Sequence, residues 1–278
     1  MSFVDVDGVQ IYYEVHGSGN GTPLILSHCL AGHSGLWKEN IDALSQEQKL
    51  ILWDCRGHGK SSVPTESHDY GITRSARDLA RVLDAVGVDQ AHVGGLSMGG
   101  GISACFAILF PERTASLMIM DSNTAAGLPS PPALRDARLE AIRLCATATS
   151  QSERDSLVRY FIDTNASYRI VSEGELVIPP AGHPLMDAVQ GTTPIGLGHT
   201  LNCMQNSDFP IDRVRELSMP TLVLAGSQDP GMRAVQVTHE RIAHSQLVTL
   251  DEAGHISNLD QPRAFERAVL GFLASTRG

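Results

Sequence analysis

The chain has 278 residues, of which 42% are hydrophobic and 19% charged; this excludes a disordered polypeptide and supports a sizeable buried core. Only 5% are aromatic, so that core must be largely aliphatic. A net charge of -10 repels phosphate backbones and anionic bilayers, which argues against nucleic-acid and membrane partners.

In chain order, apolar alternation at Phe3–Val6, an Asp7-Gly8 turn and the run Val9–Val15 predict a β-hairpin. Leu24–Leu26 and Leu50–Trp53 are unbroken apolar runs, as expected for strands of a parallel sheet covered on both faces. Between them, Leu36 to Leu44 is expected to form a helix. A second helix is predicted from Thr73 to Val86, where Ala76, Leu79, Ala80, Val82, Leu83 and Val86 form one stripe and Gly87 supplies the stop. A strand at Ala91–Gly94, a helix from Met98 to Phe110 and a strand at Leu117–Met120 follow.

The span Gln90–Pro111 carries no charge and is long enough to cross a bilayer. Its five glycines interrupt it, so a strand, a turn and a buried helix explain it better. Strand and helix thus alternate, which implies a parallel sheet with right-handed crossovers. After Asp121 the rhythm fails. Residues 122–212 hold proline-rich turns and two helical stretches, about Ala133–Thr147 and Ser152–Asp163. Strands resume at Thr221–Ala225 and Leu247–Leu250, and a helix at Arg263–Leu273 ends the pattern. The expectation is an α/β core of residues 1–121 and 213–278, with a helical lid at 122–212 inserted in it.

The five cysteines are scattered with no C-x-x-C pair, so neither a disulfide framework nor a zinc site is expected. The N-terminal residues carry no basic, apolar leader pattern, and a cytoplasmic location is the expectation. No phosphate-cradling loop is present; Gly17-Ser18-Gly19 follows a strand but opens no helix. No cofactor and no metal are expected.

The chemistry concentrates at Gly95-Leu96-Ser97-Met98-Gly99, a G-x-S-x-G pattern between a predicted strand and a predicted helix. That setting forces a sharp turn, leaves the serine strained and projects its hydroxyl at the mouth of the sheet. A serine hydroxyl needs a base, and the base needs an orienting acid. Asp229 follows the strand Leu222–Ala225, and His255 follows the strand Leu247–Leu250. All three thus fall at strand C-terminal ends, where open α/β sheets build their sites. Asp121, one strand earlier, is the rival acid, and Asp251 is a weaker one. Cys29 is a remote alternative nucleophile, and His58, His183 and His199 are read as structural or of unassigned orientation.

These residues also carry a resemblance to the α/β-hydrolases over nearly the whole chain. The order Ser, Asp, His is theirs, and Trp53-Asp54-Cys55-Arg56-Gly57-His58-Gly59-Lys60-Ser61 resembles their D-x-R-G-H-G-x-S segment. Within that superfamily, Gly95–Gly100 and Ser27-His28-Cys29-Leu30 followed by Trp37 are similar to 3-oxoadipate enol-lactonases and related carboxylesterases. The resemblance implies a small carboxylic ester or lactone as substrate. It also implies an oxyanion hole made by the backbone N–H of Met98 and one from the loop after Ser27. Leu30 is favoured for the second donor, with Cys29, standing where glycine is usual, as the other choice. Carbon–carbon hydrolysis of a ring-fission diketone with the same triad, and a non-enzymatic receptor, are the competing readings.

Substrate contacts are expected from the lid, with Leu157, Phe161, Arg135 and Arg138 as candidates. The two arginines are i, i+3 neighbours, and a solvated arginine face is the expectation for them. Together with the acidic net charge this favours a neutral or weakly polar substrate. Oligomeric state is unread.

Overall fold

The computed structural model describes residues 2–276; Met1 and residues 277–278 lie outside them. Asp7 and Gly8 both adopt positive φ (54° and 84°), the geometry a two-residue hairpin turn requires. They join β1 (Ser2–Val6) to β2 (Val9–His16). The chain continues through β3 (Gly21–Ser27), α1 (Ile41–Leu44), β4 (Gln48–Trp53), α2 (Ile72–Val86) and β5 (Ala91–Leu96). Next come α3 (Met98–Leu109), β6 (Thr114–Met120), α4 (Pro132–Thr147), α5 (Gln151–Thr164), β7 (Ile170–Ser172) and β8 (Glu175–Val177). The last elements are α6 (Pro184–Gly191), α7 (Pro194–Gln205), β9 (Thr221–Gly226), α8 (Met232–Arg241), β10 (Ser245–Leu250), α9 (Ser257–Asp260) and α10 (Pro262–Ser275).

Eight strands form one sheet in the order β1-β2-β4-β3-β5-β6-β9-β10. Only the β1–β2 and β2–β4 pairings are antiparallel; the other neighbours run parallel. Leu24–Leu26 and Leu50–Trp53 have no exposed surface, which is why these runs carry no alternation. Helices pack around the sheet: α3 on β5 and β6, α2 on α3, α8 on β9 and β10, and α10 on α1 and β10. At the end of α2, Gly87 adopts φ 71°, its N–H donates to Asp84 O, and the Val88 N–H donates to Leu83 O. This is the glycine-closed helix end that the sequence announced.

The expected helix at 36–44 is instead a 3₁₀ helix, Ser34–Asn40, followed by the short α1. Ser34, Trp37 and Asn40 are all buried, a spacing of three that suits 3₁₀ rather than α geometry. The β5 strand also runs two residues beyond the expected end, to Leu96. Between β6 and β9 lie not two helices but α4, α5, α6 and α7, together with the separate β7–β8 hairpin. The helix α8, between β9 and β10, was not anticipated at all. Among the described residues no helix is long and apolar enough to cross a membrane.

Candidate functional site

With β5 ending at Leu96 and α3 starting at Met98, Ser97 makes the whole turn. Its backbone sits at φ 57°, ψ -114°, a conformation that costs a non-glycine residue about 1–3 kcal/mol. Neighbouring backbone holds it there: the Ser97 N–H donates 2.8 Å to Met120 O, and Ser97 O accepts from the Gly100 N–H at 3.0 Å. The flanking glycines are needed for room. A Cβ on Gly95 would lie 2.3 Å from the Gly99 backbone, and one on Gly99 would lie 2.2 Å from Ser27 O. The loop leaving β3 therefore rests directly on the first turn of α3.

His255 Nε2 lies 2.8 Å from Ser97 Oγ, and His255 Nδ1 lies 3.0 Å from each carboxylate oxygen of Asp229. Hydrogen-bond logic assigns the ring proton to Nδ1, donating to the carboxylate, so that Nε2 accepts from the serine hydroxyl. Burial pushes the imidazole down, but the charge and hydrogen bond of Asp229, with Asp121 behind them, outweigh it. Arg138 opposes them, and the ring ends above its ordinary value. Burial likewise pushes the Asp229 carboxyl up, yet the charge and hydrogen bond of His255 and the Gly231 N–H hold it below the usual range.

The rival acid Asp121 does something else. It is fully buried, Oδ1 accepts from the Gly226 N–H at 3.0 Å, and Oδ2 accepts from the Ser257 N–H and hydroxyl. It therefore ties the end of the strand before Asp229 to the segment after His255, and no hydrogen bond joins it to the imidazole. Burial and the charge of Asp229 push its carboxyl up. Asp251, in the turn after β10, is exposed. Cys29 is 1% exposed, and burial raises its thiol to about 12, which leaves little thiolate to act as a nucleophile.

Among the remaining histidines, His183 caps α6 by accepting from the Leu185 N–H, and the His199 ring reaches Thr65 O at 2.9 Å. His58 is 2% exposed inside the turn it was assigned to. The turn itself is braced by Arg56, whose guanidinium pairs with Asp78 at 2.6 and 2.7 Å with both side chains nearly fully buried. Removing one partner of such a pair costs about 3–5 kcal/mol. The D-x-R-G-H-G-x-S segment is thus scaffold beneath the site.

The loop from His28 to Gly32 carries both candidates for the second oxyanion donor. The His28 ring is fully buried and neutral: burial and then His58 push its pKa well down. Its Nδ1 reaches Cys29 O at 2.7 Å, and its Nε2 accepts from the Cys55 N–H at 2.9 Å. A Cβ on Gly99 would meet His28 O at 2.7 Å, so that carbonyl faces α3. A trans peptide sends its N–H the opposite way, which turns the Cys29 N–H from the helix. Met98, the first residue of α3, contributes an N–H with no intrahelical partner.

A cavity of about 1220 Å³ opens onto His255 and is bounded by the start of α4, the end of α5 and the segment at 204–211. That exceeds the roughly 300–1,000 Å³ of common ligand pockets. Arg138 lines it; Arg135 does not. Arg135 is 56% exposed and lies 3.5 Å from its neighbour Asp136. Arg138 is half-buried, its guanidinium donates to Ser130 Oγ at 3.1 Å, and no carboxylate pairs with it among the described residues. The expectation of a solvated arginine face therefore fails for Arg138 and holds for Arg135. Leu157 and Phe161 are 2% and 3% exposed and face the protein interior rather than the cavity. Phe161 packs edge-on against Tyr168, with ring centroids 4.7 Å apart. No cluster of three or more metal-ligating side chains occurs among the described residues.

The sequence model of a family described as "alpha/beta hydrolase fold" matches residues 22–144. The chain is 30% identical to 3-oxoadipate enol-lactonase 2 of Acinetobacter baylyi, covering 94% of this chain and 92% of that one. Among solved structures it superposes on a hydrolase from Pseudomonas aeruginosa with a TM-score of 0.80, 28% identity, and coverage of 98% and 97%. It also superposes on the enol-lactonase from Burkholderia xenovorans with a TM-score of 0.81, over 98% and 100% of the chains; at 23% identity that likeness speaks for the fold alone.

Proposed function

The chain belongs to the α/β-hydrolase family, and from that premise we propose that it is a serine hydrolase cleaving a carboxylic ester or lactone through an acyl-enzyme on Ser97. The observation that carries this reading is the hydrogen-bonded chain from Ser97 Oγ through His255 to Asp229, set on a strained turn. Ser97 attacks the carbonyl carbon as His255 Nε2 takes the hydroxyl proton. The same proton then passes to the leaving oxygen, and water, deprotonated by His255, releases the acid. The N–H groups of Met98 and Leu30 meet the developing oxyanion. The direction of the His28 carbonyl supports Leu30 over Cys29 in that role. Residues 122–212 act as the lid that shapes the substrate cavity.

The enol-lactonase relative supports a lactone, and Arg138 supports an acidic one. A half-buried guanidinium that lines the same cavity as His255 and has no carboxylate partner among the described residues suits a substrate anion, which replaces the neutral substrate expected from net charge. The test compares kcat/KM for a carboxylate-bearing lactone and for its methyl ester. Wild type should prefer the acid, and Arg138→Ala should erase about 10–100-fold of that preference, the worth of a charge-assisted hydrogen bond. Arg135→Ala should leave it in place. A preference for the neutral form, indifferent to Arg138→Ala, overturns the acidic-substrate reading. A broader screen across esters, lactones and ring-fission diketones tests the reaction class, since turnover of diketones alone would replace ester hydrolysis with carbon–carbon cleavage.

The base must be neutral to act, and His255 sits above its ordinary 6.5. The kcat/KM profile should therefore climb with pH through an inflection above that value. Arg138 is one of the groups holding the pKa down, so Arg138→Ala should move the inflection to higher pH. A shift to lower pH would contradict the assignment of His255 as the base.

A further inference from the structure

We propose that Tyr168 is a positioning residue for the oxyanion-binding loop, locking the Leu30–Ala31 peptide in an orientation that Ala31 by itself disfavours. The proposal rests on the serine-hydrolase reading and gives residues 122–212 a part in the chemical step beyond shaping the cavity.

Cys29 to Gly32 form a four-residue turn closed by the Gly32 N–H donating to Cys29 O at 3.0 Å. Ala31, the third residue, has φ 54°, whereas Leu30 is not among the residues of positive φ. A negative then a positive φ at the central positions is the type II arrangement, which normally places glycine third. With a Cβ at that position, the alternative with φ near -90° is sterically easier. The two forms differ by rotation of the central peptide, which carries the Leu30 carbonyl on one side and the Ala31 N–H on the other. This loop is therefore a two-state element whose observed state needs outside support.

That support comes from the segment between β6 and β9. The Tyr168 hydroxyl donates to Leu30 O, and both residues are 4% exposed. Phe161 fixes the ring from one side. A second tether lies one residue on, where Thr192 Oγ1 is 3.1 Å from Ala31 O, with Ala188 O at the same distance as its other acceptor. The preceding carbonyl, Cys29 O, is held from within the core by the Gly32 N–H and the His28 ring. Two of three successive carbonyls are thus fastened to the lid. Releasing Leu30 O frees the central peptide to rotate about Leu30 ψ and Ala31 φ. The donor N–H belongs to the preceding Cys29–Leu30 peptide and is displaced as the Leu30 Cα shifts to accommodate that rotation. Burial raises the Tyr168 phenol well above its ordinary value, so the hydroxyl remains a donor throughout the working pH range.

Tyr168→Phe removes one oxygen atom and keeps the ring. It should lower kcat about 10–100-fold, the scale of a misplaced catalytic group, while KM moves only a few-fold. A trifluoromethyl ketone, whose adduct with Ser97 places an oxyanion in the hole, should lose affinity by a factor matching the fall in kcat/KM. The decisive variant is Ala31→Gly in the Tyr168→Phe background. Glycine removes the steric objection to positive φ, so kcat should return most of the way to that of Ala31→Gly alone. A residue that only braced the lid would lower thermal stability without this rescue. Unchanged kcat in Tyr168→Phe, a loss confined to KM, or no recovery with Ala31→Gly would each overturn the proposal. If wild type shows no Ser97-dependent turnover at all, the serine-hydrolase reading fails and takes this one with it.

Discussion

Ser97→Ala is expected to abolish covalent labelling by a fluorophosphonate and to lower kcat by about 10⁶, the scale of nucleophile loss in a well-studied triad protease. The size follows from the geometry. The hydroxyl lies 2.8 Å from His255 Nε2, and the strained turn holds it there. Alanine adopts the same backbone with the same Cβ, so the fold should survive while the nucleophile disappears. In wild type a single label should form, on the peptide containing Ser97. A label on the peptide containing Cys29, or undiminished turnover in Ser97→Ala, would move the chemistry elsewhere. The raised thiol pKa of Cys29 predicts neither.

How far the residues announced this site varies with the range of the forces involved. Local signals were legible. Asp7-Gly8 specified a hairpin, Gly87 ended a helix, and the spacing of Gly95 and Gly99 around Ser97 specified the turn, because each depends on backbone sterics within a few residues. Strand ends singled out Asp229 and His255, and the structure brings both to Ser97, since parallel crossovers bring strand C-termini to one edge. Long-range packing was not legible. Arg135 and Arg138 look equivalent as i, i+3 neighbours, yet only Arg138 turns into the cavity. Which stripe of α4 faces inward is decided by packing against the next helix, α5, and against α7, which begins at Pro194. Leu157 and Phe161, apolar and so expected to meet substrate, are buried in the core instead. Nothing in the local sequence marked Tyr168, whose partner Leu30 lies 138 residues away. Within residues 122–212 the longer α4 and α5 were legible, whereas the shorter α6 and α7, each opened by a proline, and the β7–β8 hairpin span too few turns or residues to show a period.

Asp229→Asn is expected to leave the protein folded and to lower kcat by up to about 10⁴, as in the worked protease case. Both carboxylate oxygens lie 3.0 Å from His255 Nδ1, so the acid selects the tautomer that leaves Nε2 free to accept. An amide can turn its NH₂ toward Nδ1 and favour the opposite tautomer, which puts a proton where the serine hydroxyl must deliver one. It also removes the charge that stabilises the imidazolium, so the acidic limb of the pH profile should shift to lower pH in any residual activity. Asp121→Asn provides the comparison. It loses an acceptor for Ser257 while keeping one for the Gly226 N–H, loosening the segment after His255 without touching the ring. Its expected cost is about tenfold in kcat, in line with a small displacement of a catalytic group, with a visible loss of thermal stability. The two variants thus separate orientation of the imidazole from support of the loops that carry it. If Asp121→Asn proves the more damaging to kcat and Asp229→Asn is mild, the working acid lies one strand earlier and the geometry around His255 must rearrange when substrate binds.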